Sequence, residues 1–183
     1  MIQAMNLNQN TMKKTFFILF IFCTAASLSF AQESTEGNEP QADSTAIADA
    51  LGKMFNAKID IKIDESIFNS KMGNMYLSEK YGAVVIMILA PQSVDKAQEN
   101  MDKEKKKDGY KSVDHGSYMV DGRKIIFETG TMKKDGEKMM MDMYAVEVKP
   151  EASVFMVAAY LLKDKETLHQ KIKDSVATIK LVE

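Results

Sequence analysis

Four methionines crowd one short stretch, Met139, Met140, Met141 and Met143, in a chain that carries 15 methionines among 183 residues. A thioether is a soft donor, and a group of them suits copper(I) in an exported protein. If the stretch is a strand, Met139, Met141 and Met143 share one face while Met140 points the other way, beside Asp142 and Tyr144. Residues two apart on a strand are separated by roughly 7 Å, so three on one strand do not reach one ion unless neighbouring strands contribute. The same side chains also serve as adaptable filling for a core, or as an apolar surface that re-packs around a partner. The expectation is a core or apolar sheet face, with a soft-metal site as the alternative, and no residue is assigned as a metal ligand.

Other chemistry finds less support. The two histidines are His115, between Asp114 and Gly116, and His169, after Leu168. A catalytic or metal role for His115 needs a partner, and its neighbour Asp114 points to the opposite face of a strand. His169 is expected on the polar, solvent-facing side of a helix. The lone cysteine, Cys23, and the two histidines exclude a Cys/His zinc cluster and a disulfide framework. No Gly-x-Ser-x-Gly elbow occurs. Gly130, in Thr129-Gly130-Thr131, reads as a bulge or a close strand contact and not as a phosphate loop. The reading is therefore a non-enzyme with no catalytic residue and no cofactor.

These residues have to be positioned by strands. Ile59, Ile61 and Ile63 alternate with charged residues as a half-buried strand does. Gly73-Asn74 marks a turn, and Tyr81 to Leu89 is an apolar run buried on both faces and ended by Pro91. Ser93 can cap a helix from Val94 to about Asp108, ended by Gly109. A meander follows: Tyr110–Val120, a turn at Asp121-Gly122, Arg123–Met132, a turn at Asp135-Gly136, Lys138–Val148, a turn at Pro150-Glu151, and Ser153–Leu162. Asp-Gly is a strong hairpin signal because primed turns need positive φ at both central residues. Asp164 then caps a helix to about Asp174, and Val176–Leu181 closes the chain as a strand. This order predicts an α+β fold, an antiparallel sheet of five to seven strands with helices packed on it.

The first thirty residues read as an address. From Met12, the preferred initiator, Lys13 and Lys14 precede an apolar run at Phe16 to Phe22, and Ser29-Phe30-Ala31 supplies small residues for cleavage before Gln32. Residues 1–31 are thus expected to be a Sec-type signal peptide, and the protein to reach the periplasm or the exterior of a bacterial cell. The run is too short to span a bilayer, so no membrane-spanning segment is expected after cleavage. Residues 32–56 are expected to form a flexible tether, polar at first, with a short helix where Ile47, Leu51 and Phe55 make a stripe. A single domain fills 57–183. Once Lys13 and Lys14 leave, the 24 basic residues fall to 22 against 26 acidic ones, so the net charge moves from −2 to −4. A mildly acidic surface gives no reason to expect a nucleic-acid partner.

The order of elements resembles the PsbP/Mog1/DcrB-like group of α/β/α sandwiches. The residues that carry the resemblance are Val84 to Pro91 leading into the Ser93 helix, Gly109-Tyr110 at its end, the Asp121-Gly122 hairpin, and Ile172 to Val176 followed by Ala177-Thr178-Ile179. The resemblance covers roughly Ile59 to Leu181. It implies a PsbP/Mog1-like sandwich, used in that group for photosystem accessory proteins, a nuclear transport factor and exported bacterial proteins. A weaker resemblance is to exported lipid-carrier half-barrels of the lipoprotein-chaperone type. Together these readings predict an exported, non-enzymatic domain that binds a protein or an apolar ligand through its sheet face. The alternative is a carrier of copper, an apolar ligand or a lipid in the cell envelope.

Overall fold

Period-two alternation and Asp-Gly turns organise most of the chain after Gly109. The computed structural model describes residues 52, 56–104 and 109–182, all within one compact unit, Asp43–Glu183. The leader and nearly all of the tether lie outside the described residues. The elements run β1 (Ile59–Asp60), β2 (Ser70–Met72), β3 (Met75–Ser78), β4 (Ala83–Ala90), α1 (Val94–Glu104), β5 (Tyr110–Val120), β6 (Arg123–Lys134), β7 (Glu137–Lys149), β8 (Ala152–Leu161), α2 (Lys165–Val176) and β9 (Lys180–Leu181). Seven strands form one sheet in the order β2-β3-β4-β8-β7-β6-β5, and each neighbouring pair is antiparallel. β1 and β9 pair separately. The expected fold class, an antiparallel sheet with helices packed on it, is the observed one.

The meander from β5 to β8 follows its turn residues. Asp121 and Gly122 have φ of 50° and 77°, and Asp135 and Gly136 have φ of 49° and 83°, as primed turns require. The register then fixes what each face carries. Met140, Asp142, Tyr144 and Val146 of β7 share a face with Tyr160, Ala158, Met156 and Val154 of β8. All eight are buried, and with Leu168, Ile172 and Val176 of α2 they form the main core. Met139, Met141, Met143 and Ala145 occupy the other face, crossed by α1, which packs on β6, β7 and β8. β4, between β3 and β8 in the sheet, is apolar throughout, and all its residues but Leu89 are buried.

The structure departs from the sequence reading at the ends of the domain. Ile59 and Ile61 are buried as their alternation requires, yet β1 spans two residues because its partner is the equally short β9. The turn at Gly73-Asn74 joins β2 and β3, two strands too short to show a pattern. Asp164 precedes α2 but its side chain makes no capping hydrogen bond; a 3-10 turn at Leu162–Asp164 leads in instead. Val176 ends α2 and does not begin a strand. Ser93 does lie at the start of α1, with Lys96 N 3.4 Å from its Oγ. The expected extension of that helix through Lys105 to Asp108 lies outside the described residues.

Candidate functional site

Three places gather the side chains capable of chemistry. The first is the methionine face. β6 and β7 set Met132 opposite Met139 and Gly130 opposite Met141, while β8 sets Leu161 opposite Met139 and Ala159 opposite Met141. Met132, Met139, Met141 and Leu161 are each half-buried. Met143, on the same face, is buried, and Met140 is fully buried in the core on the far side. The expected division of the methionines between faces therefore holds. What the sequence did not reveal is that Met143 drops out of the open group and Met132 of the neighbouring strand takes its place.

Tyr110 forms one wall of this patch. It pairs with Met132 on the edge strand β5, and its ring lies so close over Gly130 that a Cβ there would come within 2.1 Å of it. Gly130 is thus the close strand contact its sequence suggested, and the β5–β6 bulge falls elsewhere, between Ser112 and Asp114. Burial, with the buried carboxylate of Glu128 as a second cause, pushes the Tyr110 phenol well above its usual range.

The second place is a polar latch inside the core. Asp142 is fully buried, and its Oδ2 accepts from the Tyr160 hydroxyl at 2.7 Å and lies 3.0 Å from His169 Nδ1. A carboxylate only accepts, so the proton is assigned to Nδ1 and both groups donate to Asp142. The 3.3 Å between Tyr160 and His169 is then the proximity of two donors sharing one oxygen. His169 is not the solvent-facing residue expected from the helix pattern: it turns inward and ties α2 to Asp142 of β7, which also holds Tyr160 of β8. Burial, reinforced by Asp142, raises the Tyr160 phenol, which remains a protonated donor. A buried carboxylate that orients an imidazole also occurs in hydrolytic triads. Here the hydroxyl bonded to the pair is a buried phenol that holds its proton, so the arrangement fastens a helix to the sheet.

The third place is a crevice beside α1, lined by Gln98, Met101, Asp102, His115, Ile126 and Glu128. His115 is exposed on β5 and pairs across the ladder with Glu128, which is buried. Its available partner is therefore cross-strand and not Asp114. The free volume, about 10 Å³, is the size of one water and too small for an organic substrate. Among the described residues, no three His, Cys, Asp or Glu side chains come together as a metal centre, and no helix is long and apolar enough to cross a membrane.

The chain matches no protein-family model and no curated protein sequence. It is similar in fold to solved structures. The crystal structure of LpqN, involved in cell envelope biogenesis of Mycobacterium tuberculosis, matches with a TM-score of 0.52 at 12% identity, over 68% of this chain and 83% of that one. The Ran-binding protein Mog1p of Saccharomyces cerevisiae matches at 0.42 and 9% identity, over 66% and 86%. Cyanobacterial PsbP of Synechocystis matches at 0.44 and 5% identity, over 80% and 98%. The solved structures matched thus include members of the one PsbP/Mog1/DcrB-like group whose element order this chain resembles. Likeness at such identities is one of fold and carries no activity.

Proposed function

We propose that this is an exported, non-catalytic domain that binds a protein partner through the open half of its sheet face. The observation that carries the reading is the half-open patch of Met132, Met139, Met141 and Leu161. Side chains with three rotatable bonds and a polarisable sulfur adapt to a partner's shape at little cost. Export is read from the leader at residues 1–31, and LpqN, which shares the fold, serves in cell envelope biogenesis. The buried face behind the patch is held by the Asp142 latch, which gives the open face a rigid base.

The test places a photo-crosslinking amino acid at Met139 or Met141, and as a control at Lys173 on α2, in cells that express the full chain. A discrete adduct from the two methionine positions, absent from Lys173 and abolished by Met132→Glu, is expected, on a chain whose first residue is Gln32. Equal adducts from all three positions, or turnover of a substrate by the purified protein, would refute the reading.

A further inference from the structure

We propose that Met132, Met139 and Met141 form a thioether site for copper(I). One strand cannot supply such a site, since alternate residues stand about 7 Å apart. Two strands can. Met132 lies directly across the ladder from Met139, where facing Cβ atoms of an antiparallel pair are about 4.5–5.5 Å apart. Met141 is the next residue of β7 on that face. The three sulfurs therefore hang from the corners of a small triangle, on side chains flexible enough to close over one ion. Each of the three is half-buried, so an ion can reach them without unfolding the sheet.

The surroundings select for a soft ion. Met141 faces Gly130, and because Gly130 has no side chain the Tyr110 ring fills that position and walls the triangle on the β5 side. Leu161 and Ala159 flank Met139 and Met141 on the β8 side. A hard cation entering this pocket would shed water and find no oxygen cage in return, whereas thioethers favour copper(I). In the row beyond Met132 and Met139, Lys134 and Glu137 oppose one another across the ladder, so their charges offset. Met143 sits on the same face but is buried, and takes no part.

The inference does not rest on the partner reading, because leucine at the three positions preserves an apolar surface while removing every sulfur. The full chain carrying Cys23→Ser, which leaves no competing thiol, is titrated anaerobically with copper(I) against a colorimetric copper(I) chelator. Uptake of one ion per chain is expected. Loss of a supporting group around a bound metal already costs about 10–100-fold in affinity, so each of Met132→Leu, Met139→Leu and Met141→Leu should weaken binding at least about tenfold. Met143→Leu should leave it unchanged, and near-UV circular dichroism checks that every variant is folded. No stoichiometric uptake, uptake that survives the triple Leu variant, or loss in Met143→Leu would overturn the assignment. If a chain with the crosslinker at Met139 and leucine at Met132 and Met141 still captures its partner while the triple Leu variant loses copper, the two readings are separated; if the triple Leu variant keeps copper, the copper assignment falls alone.

Discussion

Tyr110, Tyr144 and Tyr160 keep their phenols where ionisation is unfavourable. Burial is the main cause for all three, and negative charge adds to it, from Asp142 beside Tyr144 and Tyr160 and from Glu128 beside Tyr110. Each phenol is raised in the folded protein above the 10.0 typical of a free tyrosine. The unfolded chain therefore loses these protons first as pH rises, and proton release pulls the equilibrium toward it. Stability from these groups is complete below pH 10 and declines above it. Denaturant titrations at pH 9 to 12 should show that decline, with tyrosinate absorbance from these three rising together with unfolding. Their titration near pH 10 in a protein that stays folded would contradict the packing. The position of Asp142 among these phenols was partly legible, since parity on β7 sets it between Met140 and Tyr144 on one face. That the carboxylate is met there by Tyr160 and His169 depends on the β7–β8 register and on how α2 lies, and neither is written in the local sequence.

The contact between β5 and β6 is governed by one missing side chain. Tyr110 lies over Gly130 closely enough that any Cβ must displace the ring. Gly130→Ala should destabilise the domain by roughly 1–3 kcal/mol, the usual cost of overpacking. In a Tyr110→Ala background the same change should cost much less, because the obstructing ring is gone; denaturant titration of the four proteins gives the coupling directly. Equal costs in both backgrounds would show that the ring is not the obstacle. The long hairpins were legible because alternation over ten or more residues and an Asp-Gly turn each state the same answer. Of the short strands, β1 and β9 lie inside longer expected strands whose ends the sequence misplaced, while β2 and β3 were not legible, since three or four residues hold no period. Asp164 failed as a cap for a related reason: the 3-10 turn before α2 sets the local geometry, and composition alone does not record it.

At the scale of the molecule, the sequence shows a meander, and the structure completes it by placing β4 beside β8, so that a strand formed early in the chain meets one formed nearly seventy residues later. This long-range pairing is what makes the seven-stranded sheet, and local pattern does not encode it. α1 and α2 then divide the labour. α2, fastened through His169, closes the face that holds the core, while α1 crosses the other face and leaves the Met132, Met139, Met141 and Leu161 corner half open. Among the described residues, methionine is thus buried filling at places such as Met87, Met140 and Met156, exposed at Met72 and Met119, and half-buried in the cluster of Met132, Met139 and Met141. Oxidative footprinting tests that division most directly, because solvent-accessible methionine is converted to its sulfoxide. Cells expressing the protein and the purified protein are treated with the same dose of peroxide, and each methionine is scored by peptide mass spectrometry. Met132, Met139 and Met141 should oxidise in the purified protein and be protected in the cell, while the exposed Met72 and Met119 oxidise in both. Equal oxidation of the three in both settings, or the same protection at Met72 and Met119, would contradict the assignment of the open methionine face as the binding surface.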